Sequence, residues 1–366
     1  MPGRTDLIPR LLSTHLSSRI LLVGNGQNPE APFSLCGMPA LEVSTFSPPV
    51  WLRSPSIQTI FPALFRPKSH KLHPQLESLD LSDGDSLELA WFGRDINDRK
   101  DNRLAIITHG LEGSINSGYV VGLTKVLTQA GYLTLTWNMR GCGSKPNKLP
   151  SWYHSGKSED LKAVVDHAHS CYPESSIFLV GISIGGNILC KYLGEQGKSV
   201  PAKIMAAVSV SAPLDLRGSA LTLARRSRRL YMQYLMRPLR ERVKSKAAMF
   251  PDLIDASGVD DITSFAEFDS RYTAPVHGFN SVDHYWDVCS GSRFLDSVRV
   301  PLLLVSALDD PFLSATCFPY QRVSNSRLIT LETPRYGGHV GFIDSLTMRD
   351  SWLERRVVEF FGRDAE

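Results

Sequence analysis

The chain has 366 residues, long for one compact domain and short for three. Hydrophobic residues make up 42% and charged residues 21%, which excludes disorder over most of the chain. No apolar run approaches the roughly 18–20 residues of a membrane span, and a net charge of +3 gives no reason to expect a nucleic-acid partner.

Residues 1–45 read as a poorly ordered extension. Arg4, Arg10 and Arg19 stand among serines with Asp6 as the one acid before Asn28, a faint likeness to an organelle transit peptide. The apolar stretch Ile20–Val23 is too short for a secretory signal. From Phe46 to Glu366 one ordered domain is expected. Ser78–Asp83 and Ser86–Trp91 alternate apolar and polar residues around Gly84 and Asp85, which predicts a hairpin. Leu104–Thr108 is a continuous apolar strand. Ser117–Ala130 places Val120, Leu123 and Leu127 on one helical face, and Tyr132–Trp137 is β-rich again. Leu161, Val164, Val165 and Ala168 line a helix opening near Ser158, an N-cap residue type. Ile177–Val180 reads as a strand, Gly185–Leu193 as a helix and Ile204–Val210 as a strand. This alternation predicts an α/β fold, a mostly parallel central sheet flanked by helices. Over about 217–290 the rhythm stops, which predicts a helical cap insertion. Pro301–Val305, Arg327–Leu331 and Trp352–Phe361 then resume it as strand, strand and helix.

The sharpest local signal is Gly181-Ile182-Ser183-Ile184-Gly185, with a strand before it and a helix after it. That context is a sharp elbow holding a serine hydroxyl above the sheet edge, with glycines where side chains would clash. A serine needs a base, itself oriented by a carboxylate. His339, in a glycine-flanked loop after the last strand, is placed to be that base. Asp309 and Asp310 follow the strand ending near Val305. Asp310, one residue further into the loop, is the better candidate; Asp309 would support the loop, and Asp215 is an outside candidate. The order serine, aspartate, histidine is that of an α/β-hydrolase triad. His109-Gly110-Leu111 follows another strand, so the N–H groups of Leu111 and Ile184 are the candidate oxyanion donors. His109 itself reads as support for the loop.

These motifs together resemble the α/β-hydrolase superfamily. The narrower likeness is to the YheT-like hydrolases, plant embryogenesis-associated proteins and animal abhydrolase-domain phospholipases. The matching residues are Phe46, Pro48, Pro49, Trp51, Gln58 and Thr59; His109-Gly110-Leu111-Glu112-Gly113; and Asn138, Arg140, Gly141 and Gly143. They continue with His154-Ser155-Gly156 and Asp160, the serine elbow with Asn187, Ala307–Phe312 and Gly337–Phe342. The resemblance spans roughly residues 46–361. It implies Ser183, Asp310 and His339 as the catalytic triad and carboxylic esters, including acyl lipids, as substrates. It also implies acyl transfer to alcohols in some members. A binding module that keeps the fold without catalysis is the remaining alternative.

The six cysteines form no CxxC pair and no zinc-spaced cluster, so neither metal nor organic cofactor is expected. Their sparseness fits a reducing, cytoplasmic setting, with organelle targeting or peripheral membrane association as alternatives. In the insertion, nine basic residues between Arg225 and Lys246 interleave with Leu221, Leu230, Tyr231 and Tyr234. A basic amphipathic cap of this kind would suit peripheral contact with anionic lipid, or pack its apolar side on the core as an ordinary charged face.

Overall fold

A computed structural model describes residues 40–69, 73–94, 102–348 and 351–362; the arginine-rich start, and Cys36 with it, lie outside them. Nine strands build one sheet: β1 (Leu41–Glu42), β2 (Gln75–Asp80), β3 (Ser86–Phe92), β4 (Arg103–Thr108), β5 (Leu133–Asn138), β6 (Ser176–Ile182), β7 (Ile204–Val210), β8 (Leu302–Val305) and β9 (Ile329–Glu332). Their order is β1-β9-β8-β7-β6-β4-β5-β3-β2. Only β3 runs against its neighbours, pairing antiparallel with β2 and β5; the rest is parallel.

The central strands are apolar throughout because both faces are covered. On β4, Leu104 and Ile106 join one core while Ala105 and Ile107 join the other; on β6, Ile177 and Leu179 divide from Phe178 and Val180 in the same way. The first core packs under α3 (Ser158–Cys171) and α4 (Ile184–Gln196). The second packs under α2 (Gly118–Gln129) and the last helix, Trp352–Gly362. Arg356 of that helix reaches back to Glu332 of β9 and Glu42 of β1, a buried double ion pair that seals the sheet edge.

Two local expectations need correction. Order begins before Phe46, since Leu41 and Glu42 already pair with Leu331 and Glu332. A two-residue strand is too short to show a period. Ser158 is the first residue of α3 rather than its cap. Its hydroxyl is drawn away by Glu195, to which it donates, and Lys191, from which it accepts.

Between β7 and β8 the chain runs through α5 (Leu216–Leu223), α6 (Arg229–Met249) and shorter helical turns ending at Ser297. This segment covers the carboxyl ends of the strands. Asn187 on α4 ties its far end down, donating to the Ser155 and Cys289 carbonyls and accepting from the Gly291 N–H. No described helix is long and apolar enough to cross a membrane.

Candidate active site

Ser183 sits between β6 and α4 with φ +54° and ψ −122°, a region an L-residue enters only under constraint. Its N–H donates to the Val210 carbonyl, and α4 starts one residue later. Gly185 makes the elbow possible: a Cβ there would lie 2.4 Å from the His109 carbonyl oxygen. The turn therefore projects the serine hydroxyl from the carboxyl edge of the sheet.

His339 and Asp310 arrive from the loops after β9 and β8. His339 Nε2 lies 3.0 Å from Ser183 Oγ, and His339 Nδ1 lies 2.9 Å from Asp310 Oδ2. The Asp310 side chain is fully buried. Its Oδ1 also accepts the Phe312 N–H at 2.9 Å, which fixes the carboxylate beside the imidazole. With Asp310 as acceptor, Nδ1 carries the proton and Nε2 is free to accept from the serine. Asp309 turns away and accepts the Gly338 N–H at 2.9 Å; burial pushes its carboxyl up to about 6. Asp215 is engaged elsewhere, capping α5 through the Gly218 N–H and accepting from Thr316.

The loop after β4 supplies the other wall. His109 is buried, accepts the Met139 N–H through Nε2 and directs Nδ1 at the Gly110 carbonyl. Burial lowers its pKa to about 4, so it stays neutral and structural. The Tyr119 hydroxyl takes up the Gly110 N–H. Leu111 and Ile184 both line the cavity beside Ser183, with no acceptor for either backbone N–H among the described residues.

Several contacts were not readable from spacing. Gln58, on α1 (Pro55–Phe65), is fully buried and bonds both backbone groups of Ile343. Next to it, Thr59 Oγ1 accepts the His339 N–H at 2.9 Å. A Cβ on Gly341 would approach the Gln58 carbonyl oxygen to 1.9 Å, so the histidine loop is locked against α1. Phe312 stacks on the His339 ring at 4.2 Å. Both features fall inside the matched motifs, which was the available signal.

The nine basic residues of the cap do not act as one group. Arg242 forms a two-pronged pair with Glu112 at 2.7 and 2.8 Å, joining the cap to the Leu111 loop. Arg240 donates to the Ile262 carbonyl, and Lys246 to the Asn147 and Leu149 carbonyls. Arg225, Arg226, Arg229 and Arg237 stay exposed. The basic face expected of the cap is therefore narrower than the composition suggested, because Arg240, Arg242 and Lys246 turn toward acceptors within the fold and Lys244 pairs with Glu241 and Asp260.

Below the cap is a cavity of about 750 Å³, reaching from Ser183 and His339 past Leu216, Leu223 and Phe265 to Trp286. Asp269 lines its cap wall, accepting from Thr273 Oγ1 at 2.6 Å and Trp286 Nε1 at 2.9 Å. Burial pushes that carboxyl up to about 6.

This geometry, a strained serine on a strand–helix elbow within hydrogen-bond reach of a histidine and an aspartate on later loops, is that of an α/β-hydrolase site. A family model described as "Serine aminopeptidase, S33" matches residues 99–316. The chain is 33% identical to YheT of Escherichia coli (strain K12) over 307 residues, 83% of this chain and 89% of that one. It is 30% identical to phospholipase ABHD3 of Mus musculus over 322 residues, 87% and 78% of the two chains. The solved esterase Pf2001 of Pyrococcus furiosus shares the fold with a TM-score of 0.53 at 20% identity, covering 80% of this chain and 93% of that one. The chain belongs to the α/β-hydrolase superfamily. Within it, the chain is a carboxylic ester hydrolase.

Proposed function

We propose that the protein cleaves medium-chain acyl esters, acyl lipids included, through an acyl-enzyme on Ser183. The observation that carries this reading is the unbroken relay Ser183–His339–Asp310 opening onto a large apolar cavity. Ser183 Oγ attacks the ester carbonyl carbon as its proton passes to His339 Nε2. The oxyanion forms against the Leu111 and Ile184 N–H groups, and Asp310 stabilises the imidazolium. The ester C–O bond breaks, His339 returns the proton to the departing alkoxide, and the acyl group remains on Ser183. Water, deprotonated by His339, then releases the acid.

The apolar wall of Leu216, Leu223 and Phe265 supports an acyl slot. Each further methylene buried there contributes up to about 0.8 kcal/mol, so kcat/KM should climb with chain length until the slot is full. Nitrophenyl esters from acetate upward, assayed below the micellar limit, test this; a rate highest on acetate and falling thereafter rejects the slot. A fluorophosphonate should add one label to the native chain and none to Ser183→Ala. Labelling of the alanine variant would reject the nucleophile. Product partition between water and an added alcohol separates hydrolysis from acyl transfer, which shares every step up to deacylation.

A further inference from the structure

The mouth of the cavity is flanked by exposed apolar side chains from two helices. On α1, the buried side is Gln58, Thr59 and Pro62, while Ile57, Ile60 and Leu64 follow helical spacing along the other side. Leu64 is 56% exposed and Phe65 61%. On α6, Leu230 is 79% exposed and Tyr234 65%. Ile60, Leu64, Leu230 and Tyr234 also line the cavity, so they stand where it meets solvent. The Tyr231 hydroxyl donates to Ser56 Oγ at 2.9 Å and fastens the two helices together at this rim. Large apolar residues clustered in water need a partner, whereas scattered ones do not.

The exposed charges directly flanking them along the chain are cationic. Arg225, Arg226 and Arg229 are exposed directly ahead of Leu230, Arg237 follows one turn after Tyr234, and Lys68 follows α1 on the cavity wall. None of the five has a carboxylate partner among the described residues, in contrast to the inward-turned Arg242. Exposed apolar side chains with unpaired cations next to them along the chain match a surface of acyl chains beneath anionic headgroups, the arrangement of an interfacial membrane contact.

We propose that this rim is a docking face for anionic lipid surfaces, seating the cavity mouth on the bilayer so that an acyl chain passes from the membrane toward Ser183. Binding at the face does not depend on the ester-hydrolase reading and is measured apart from it. The test uses the full chain carrying Ser183→Ala, so that lipid is not consumed, in co-sedimentation with vesicles of phosphatidylcholine alone or with phosphatidylserine added. Binding should require phosphatidylserine and weaken as salt is raised. Each removed cation should cost about fivefold in partitioning, as expected for a basic residue near such a surface. Arg225→Glu with Arg226→Glu and Arg229→Glu, and separately Ile57→Glu with Phe65→Glu, should abolish binding. In the Ser183-containing chain both sets should leave hydrolysis of a soluble short ester within a few-fold, which shows that the fold survives. Absence of binding to anionic vesicles, or binding unchanged in either set, overturns the proposal. So does a dimer in light scattering that the Ile57/Phe65 pair dissociates, since a second copy would then be the occupant. Vesicle binding that appears only after residues 1–39 are deleted would likewise assign the face to the chain's own start.

Discussion

The loops at the sheet edge and the cap above them enclose the same cavity by different means. At the sheet edge, backbone geometry does the positioning. Ser183 stands at positive φ, Gly185 and Gly341 sit where any Cβ would collide, and Thr59 holds the His339 N–H. In the cap, long side chains do it, as in the Arg242–Glu112 pair bridging 130 residues and the Lys246 ammonium on two carbonyls. Backbone constraints leave little freedom and make the relay rigid before substrate arrives. Side-chain tethers can be exchanged without remaking the sheet, so the cap is where substrate range can vary at the least structural cost.

Changes at the sheet edge should remove chemistry while sparing stability. Asp310→Asn should lower kcat by roughly 10⁴, because the amide favours the wrong imidazole tautomer. Asp309→Asn should stay within about tenfold, since its amide carbonyl still accepts the Gly338 N–H and a single hydrogen bond is at stake. Steady-state rates on one soluble ester compare the two; equal losses would mean that the carboxylates share the role.

Changes in the cap should do the reverse. Arg242→Ala leaves the mostly buried Glu112 without its cation, holding only the Tyr153 hydroxyl, and urea unfolding should show a loss of about 3 kcal/mol. Adding Glu112→Ala should recover part of that loss; a double variant no better than the single one would mean that the pair is not what joins cap and loop.

Thr59→Val tests whether the histidine loop behaves as sheet edge or as tether. It removes the acceptor for the His339 N–H, so about 1–3 kcal/mol of stability should be lost. A larger proportional fall in kcat than in 1/KM would place the effect on His339 orientation; a fall confined to KM would not.

The smallest expected effect is a pH slope from the cap. The Asp269 carboxyl titrates near about 4 in the unfolded chain, and burial pushes it up to about 6 in the folded one. Between those values the folded state keeps a proton that the unfolded state has lost. Its contribution is therefore complete below about 4 and disappears as pH rises through about 6. Urea midpoints across that window should fall with pH, and Asp269→Asn should flatten part of the slope. Asp309 adds a slope of the same sign, which its own variant removes. A native slope that neither variant changes would place the titration elsewhere.

Much of the fold was legible along the chain. Strands buried on both faces are continuous apolar runs, and β4, β5, β6 and β7 fall on Leu104–Thr108, Tyr132–Trp137, Ile177–Val180 and Ile204–Val210 to within a few residues. The strand ends that carry Ser183, Asp310 and His339 were legible for a related reason. Each residue follows a strand, and glycines mark the tight turns at Ser183 and His339, whereas the glycine-free Asp309–Asp310 turn left two acids open. Leu41–Glu42 escaped because a strand that short carries no period, and Ser158 because its hydroxyl went to Glu195 on another helix.

Local sequence by itself determined the α/β alternation and the strand ends that bear Ser183, Asp310 and His339, because period and turn chemistry act between near neighbours. Only the tertiary structure decided which of Asp309 and Asp310 faces the imidazole, since both follow the same strand and differ by one backbone rotation. It also separated the inward Arg242 and Lys246 from the outward Arg225, Arg226 and Arg229. A long cation pairs with whatever acceptor folding brings within reach, and the Glu112 carboxylate and the Asn147 carbonyl come from chain about a hundred residues away or more.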